Sequence, residues 1–266
     1  IFGSTVTAAL ARQVSPVFLL LISAALLEAA VFCMRRLSRL TDALRRGAAG
    51  AREQTVIGGS IFAGLKHAVG SPYLANVGVY ILLFTVTSTF LYFQQAEIVR
   101  DSFADRGART AFFARVDLVV NILTLGAQLF LTGRVLRWIG VALTLSMLPL
   151  LSVFGFSALA LTPTIAVLVV YQVVRRAGNF AFARPSREVL YTVVPREDKY
   201  KAKSFIDTVV YRLGDQMGAW SYAGLGVLGL GLTGISLVAV PLSLAWLVNG
   251  LWLGRKQKTL EPAAQA

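Results

Sequence analysis

Arg175 and Arg176 stand side by side in VVYQVVRRAGNFAFARP, residues 169–185, within an apolar run long enough to cross a bilayer. One arginine at a bilayer centre costs roughly 2.5–3.5 kcal/mol on the gentlest insertion scale, so a membrane helix that keeps two needs a use for them. A guanidinium offers five N–H donors in a planar fork and grips phosphate or carboxylate through pairs of them. Gln172, Arg176 and Asn179 fall at i, i+4 and i+7, with Arg175 beside them and Tyr171 a turn before it, which gathers the polar groups into one sector.

Two other apolar spans carry similar stripes. In the next one, Ser204, Asp207, Thr208, Tyr211, Arg212 and Asp215 fall at i, i+3, i+4, i+7, i+8 and i+11; in residues 112–133, Asp117, Asn121, Thr124 and Gln128 fall at i, i+4, i+7 and i+11. Three helices that each hide a polar side require an interior that is wet or lined by partners. Arg175, Arg176 and Arg212 against Asp117, Asp207 and Asp215 make a mixed field that favours an organic anion, to which Asn121, Asn179 and Gln172 add neutral hydrogen bonds. Asp207 or Asp215, if buried, could carry a coupling proton.

Simpler readings stand beside this one. Arg175 and Arg176 lie about two turns, roughly 10 Å, from a span end and could snorkel to the interface. Arg212 and Asp215 could be a structural i,i+3 pair, and Asp117 could face water at the end of its span. Glu28 has no polar companions at helical spacing and reads as an end-of-span residue.

The elements that position these residues follow from composition. Of the 266 residues, 56% are hydrophobic and 15% charged, and the mean hydropathy of +0.67 exceeds what a globule with a polar skin can bury. The net charge of +13 does not point to nucleic acid, because the basic residues gather in short blocks between apolar runs and not on one continuous face. Cys33 and His67 are each single, so there is no disulfide framework, no Cys/His metal cluster and no Cys-His pair; both read as packing. No cofactor or metal is expected.

Runs near 14–34, 73–93, 112–133, 138–158, 163–183, 206–228 and 234–254 match a span of about 20 apolar residues. Lys and Arg in the connections alternate 18 against 4 between the two sides, which gives seven complete spans with a cytoplasmic C-terminus in the cell (inner) membrane. Residues 1–11 look like the cut end of another span, and a chain beginning at Ile1 reads as part of something longer.

Residues 35–72 divide the chain. They open with RRLSRLTDALRR, which sets Leu37, Leu40 and Leu44 on one face among arginines, as in a helix lying at an anionic membrane surface. We therefore expect the end of one transmembrane bundle at 1–34, a cytoplasmic linker at 35–72, a six-helix bundle at 73–254 and a tail at 255–266. Six spans after a linker suit transporters built from two related halves, with the preceding half as the missing partner.

Two motifs are set aside. GLGVLG at 224–229 has the G-x-G-x-x-G spacing but no βαβ setting, and small residues there suit close helix packing or a turn. There is no G-x-x-x-x-G-K-[ST] sequence, so ATP hydrolysis is not expected, and no residues show the nucleophile-and-base spacing of an enzyme.

RPSREVLYTVVPREDKYKAKSFIDTVVYRLGDQMGAW, residues 184–220, resembles the ATP/ADP translocase (nucleotide transporter) family of bacteria and plastids, itself related to the major facilitator fold. IGGSIFAGLKHAVGSPYL at 57–74 and TSTFLYFQQAEIV at 87–99 resemble the same family, so the likeness extends over most of residues 55–225. It implies a twelve-helix carrier that exchanges nucleotides by alternating access, with this chain covering the C-terminal half and the end of the N-terminal half.

The expectation is therefore an all-α polytopic membrane protein with a major-facilitator-like half bundle, in contact with lipid and a small anionic solute. Arg175, Arg176, Arg212, Asn179, Gln172 and Asn121 would bind solute; Asp117, Asp207 and Asp215 would couple protons or pair helices. The loop 184–203, with Arg184, Arg187, Glu188, Lys199, Lys201 and Lys203 beside Glu197 and Asp198, would be a cytoplasmic gate, or simply a loop that satisfies the positive-inside bias. A permease for another organic anion is the alternative, and a structural or sensor protein is the rival of a different class.

Overall fold

The computed structural model describes residues 16–47, 68 and 70–265, and every regular element among them is helical. The chain divides into two compact units. The first comprises residues 1–58 and 105–115; its described parts are helix α1 (Pro16–Gly47) and the opening turns of α3 (Arg106–Phe130). α1 runs from the predicted first span through RRLSRL without a break, so residue 34 lies inside a helix. Asp105 starts α3 by accepting the Ala108 N–H at 2.7 Å.

The second unit holds α2 (Pro72–Ser102), the rest of α3, α4 (Thr132–Leu161), α5 (Ile165–Leu190), α6 (196–227) and α7 (Leu232–Gln265). Ser71 caps α2 by accepting the Leu74 N–H, and Pro72 occupies its first turn, where a missing N–H does no harm. Thr164 caps α5 through the Val167 N–H. α4 is two helices in sequence, parted at Gly140, whose φ of 76° is a left-handed conformation that L side chains rarely adopt. That break leaves Arg134 and Arg137 on a short helical connection ahead of the apolar span.

Five helices among the described residues, α2, α3, α4, α5 and α7, are long and apolar enough to cross a membrane. Each carries one of the predicted spans. The other two predicted spans fall on α1 and α6. α6 lacks an apolar stretch of the needed length because Lys199, Lys201, Lys203, Asp207, Arg212 and Asp215 interrupt it.

α2 is the axis of the unit. It buries residues on all sides, where Tyr73, Leu74, Val77, Tyr80, Ile81 and Phe84 meet Leu145 and Leu148 of α4, Leu190 of α5, Ile206 of α6, and Trp246 and Leu253 of α7. Its tyrosines tie neighbours directly: Tyr80 donates to the Leu145 carbonyl and Tyr73 to the Leu190 carbonyl, both at 2.9 Å. Large apolar residues such as Leu129, Phe154, Val170, Trp220 and Val248 point outward. A surface of that kind needs lipid. The chain is an all-α polytopic membrane protein.

Among apolar helices in lipid, association depends on close packing and interhelical hydrogen bonds. Gly254 of α7 lies so near Ala142 of α4 that an added Cβ would run into its backbone, whereas a Cβ at Gly78 would meet no atom within 4 Å. Gly254→Ala should therefore destabilise the detergent-solubilised protein by about 1–3 kcal/mol, while Gly78→Ala should be neutral or stabilising by up to about 1 kcal/mol. Thermal unfolding of the two variants checks the contrast.

Candidate functional site

α5 and α6 share an irregularity. Each is interrupted by a five-residue π-turn, Asn179–Ala183 in α5 and Ile206–Val210 in α6. A π-turn widens the helix by one residue and displaces carbonyls from the ordinary ladder. In α5 these find partners from outside: the Phe180 carbonyl accepts from Gln128 Nε2 at 3.1 Å, and the Ala181 carbonyl accepts from Thr132 Oγ1 at 2.7 Å.

Beside both π-turns lies a cavity of about 360 Å³ between α2, α5 and α6. Val77, Ile81 and Phe84 of α2 and Tyr211 of α6 give it an apolar and aromatic side, while Arg184, Arg187 and Glu188 of α5 and Asp207 of α6 give it a charged one. Asn179, Phe180 and Tyr191 complete the lining. The Arg187 guanidinium stacks over the Phe84 ring, 5.2 Å from its centroid, which holds it against the apolar side. Lys203 pairs with Glu188 and lies 5.6 Å from the Tyr191 ring, joining α5 to α6 at the cavity's edge.

The Asn179 carboxamide oxygen and the Tyr191 hydroxyl are buried without a hydrogen-bond partner. Burial, and after it the nearby Asp207 carboxylate, push the Tyr191 phenol's pKa up, so it stays a neutral donor. A partly open site with arginines on one side, aromatic rings on the other and open hydrogen-bonding positions suits an amphipathic anion. Among the described residues no three His, Cys, Asp or Glu side chains come together as metal ligands would.

The arginines that opened the sequence argument diverge, because successive residues on a helix point about 100° apart. Arg175 is 5% exposed and turns into the bundle, donating to Ser152 Oγ at 3.2 Å, Thr87 Oγ1 at 3.1 Å and Ser88 Oγ at 3.0 Å. Arg176 turns to α3 and pairs with Asp117 at 2.5 Å. Gln172 bonds Gln95 of α2. The shared sector is thus corrected: Arg175 is not in line with Arg176, and the two serve different neighbours.

Asn121 sits partly buried on α3 a turn after Asp117. Arg212 and Asp215 form an i,i+3 pair at 3.7 Å, with the Arg212 side chain 83% exposed, so Arg212 does not join the cavity. The segment expected as a loop at 184–203 is also corrected. It is the end of α5, a turn at 191–195 and the start of α6, and it sets Arg184, Arg187, Glu188 and Lys203 on facing helices. Lys199 and Lys201 stand half-buried on the first turns of α6, away from the cavity lining. The side chains of Glu197 and Asp198, along with His67 and Lys66, fall outside the described residues.

Phe84, Tyr191, Thr87, Ser88 and Ser152 belong to the polar interior and the cavity without being legible as such in the sequence pattern. The hydroxyls of α2 alone leave a trace, in FTVTST, residues 84–89, where four of six residues in an apolar span carry a hydroxyl.

ADP,ATP carrier protein 2 of Chlamydia pneumoniae is similar to this chain, with 23% identity over 217 residues that cover 71% of the chain and 40% of that carrier. The chain thus spans less than half the length of this relative. No family profile matches it, and no solved structure matches it.

Arg176 and Asp117 are both partly exposed, so their pairing is worth little alone and each is poorly placed without the other. Arg176→Ala and Asp117→Ala should each destabilise, the double variant should lose less than the sum, and the coupling should be about 0.2–1 kcal/mol. A double-mutant cycle of unfolding in mixed micelles measures it.

Proposed function

We propose that the chain is part of a secondary carrier that moves an organic anion by alternating access, and that the anion is a nucleotide taken up in exchange for another. The observation that carries this reading is the cavity at the two π-turns, where Arg184 and Arg187 face an apolar and aromatic wall. A nucleotide has the matching halves. Its phosphates suit paired guanidinium donors, its base suits the Phe84 and Tyr211 side, and the open Asn179 oxygen would accept from an exocyclic amine. About 360 Å³ lies within the usual range of ligand sites. The similarity to a carrier named for ADP and ATP supports the same class.

In this reading 73–254 is one half of a two-half, major-facilitator-like transporter, and its partner half lies in the segment before the linker. The positive-inside bias puts the C-terminus in the cytoplasm of a cell whose inner membrane holds the protein. Lys203 and Glu188 would then act as a latch across the cytoplasmic edge of the cavity, and the Arg176–Asp117 pair as a helix-pairing contact remote from solute.

One observation favours a second solute class. Glu188 and Asp207 lie in the same wall as the arginines and offset part of their charge, which suits an organic anion of lower charge than ATP. Counterflow distinguishes the two. Proteoliposomes containing the full-length protein and loaded with unlabelled ADP should accumulate labelled ATP, and competing monocarboxylates should not reduce the uptake.

Arg187→Ala should lower uptake at subsaturating ATP by roughly ten- to a hundredfold, the loss of a charged hydrogen bond of about 1.5–3 kcal/mol. Lys256→Ala, on the exposed end of α7, should change it by less than about twofold. Uptake of a carboxylate in place of ATP would transfer the assignment to that anion. Correctly inserted protein that moves no anion would refute the carrier reading.

A further inference from the structure

Arg175 is a buried cation with no carboxylate partner among the described residues. Arg176, Arg212 and Lys203 each face a carboxylate, whereas among the described residues none pairs with Arg175, although it is the most buried of the four. Its guanidinium is held only by the hydroxyls of Thr87, Ser88 and Ser152 and by the rings of Phe84 and Trp246, at 5.5 and 6.0 Å. Removing an ion from water costs several kcal/mol even after relaxation, and neutral hydroxyls leave its field largely unscreened.

Around this charge, other donors are weakly engaged. The Trp246 indole N–H, near the Tyr80 hydroxyl, and the Tyr171 hydroxyl, near Ser152 and one helical turn before Arg175, are both buried and close no well-formed hydrogen bond. A buried cation, two weakly engaged donors and no paired carboxylate form a place that would accept negative charge.

Phe84 stands between this place and the cavity. Its ring lines the cavity under Arg187, yet it also contacts Arg175, which does not line the cavity. The backbone there is fixed, since Thr87 and Ser88 donate to the Phe84 carbonyl at 3.0 and 2.6 Å while accepting from Arg175. The ring packs against Tyr211 and Trp246, with centroids 6.3 and 5.8 Å away, so the way past it would open by a change of its side-chain rotamer.

We propose that Phe84 is an aromatic gate and Arg175 a second anion station behind it, which receives the charged end of the solute from Arg187 when the ring swings aside. The proposal rests on the carrier reading and adds an order to it. Arg187 binds first, and Arg175 engages only as the solute advances. As it passes, the anion would transiently neutralise Arg175 and offer an acceptor to Trp246 and Tyr171, so the contact lowers the barrier to advance without adding to equilibrium binding.

The test uses the full-length protein and labelled ATP, in detergent for equilibrium binding and in proteoliposomes for flux. Arg175→Gln should keep ATP binding within about twofold of wild type and lower exchange about tenfold or more, a split expected when a roughly 1.5–3 kcal/mol contact forms only after binding. Arg187→Ala should weaken both. Phe84→Ala should raise efflux of loaded ATP into medium without counter-solute severalfold, and Phe84→Tyr should restore the tight, exchange-dependent behaviour.

Wild-type exchange in Arg175→Gln, or an Arg175→Gln that loses binding and flux together as Arg187→Ala does, would overturn the second station. Unchanged efflux in Phe84→Ala would overturn the gate, and it decides alone if Arg175→Gln does not fold. In each of these outcomes wild-type exchange persists, which separates them from failure of the carrier reading, where wild type itself moves no ATP.

Discussion

Within hydrocarbon, a polar group has no water to fall back on, and the second unit is organised by that constraint. Each helix buries groups that must find partners on another helix. Gln94 of α2 donates to Ser236 Oγ at 2.8 Å and to the Leu232 carbonyl at 3.2 Å on α7, and Asn249 of α7 donates to Asn76 of α2 at 2.9 Å. Gln172 of α5 reaches Gln95 of α2, and Gln128 and Thr132 reach the displaced carbonyls of α5. Lipid tails solvate Leu and Val as well as a neighbouring helix does, so apolar contact alone would leave the helices free to rotate. The polar links fix which face of each helix turns to which neighbour.

The same constraint explains what could be read from the sequence. Apolar runs bounded by Lys and Arg marked five helices, because length and apolarity are local properties. Polar positions in α3 and α5 were also legible as groups that must face protein. Their partners were not, since a stripe names a face and says nothing of what lies opposite. Arg175 and Arg176 looked equivalent in a one-dimensional pattern, yet the rotation of about 100° between successive residues sends one to α2 and α4 and the other to α3.

The π-turns were the larger loss. Counting i, i+3 and i+4 assumes a constant 100° per residue, and each π-turn inserts a residue that resets the phase. The stripe from Ser204 to Asp215 crosses Ile206–Val210; Asp207 and Tyr211 line the cavity, while Arg212 stands out on the surface. No residue in IDTVV or NFAFA announces a wider turn. In α5 the widening is supported by Gln128 and Thr132, near in space but about fifty residues away in sequence. A long-range requirement of that kind is invisible to any local pattern.

Placing the irregular turns at the cavity has a mechanical meaning. A helix bends least where its ladder is regular and most where hydrogen bonds have already been exchanged for other partners. α2 has no such point at this level, and its tyrosines and buried faces anchor it to α4 and α7. The two helices that carry the cavity's charges do, so in the proposed carrier Arg184, Arg187 and Asp207 would ride on the segments that tilt against the apolar wall of α2. The balance of charge fits such motion. A pocket of arginines alone would hold an anion too firmly to release it, whereas Glu188 and Asp207 weaken the grip, and Lys203 can pair with Glu188 when the site is empty. Arg175 lies outside that compensation, behind Phe84. In the proposed carrier its uncompensated charge would draw an anion inward past the ring, and the carboxylates of the outer cavity would lower the barrier to its leaving.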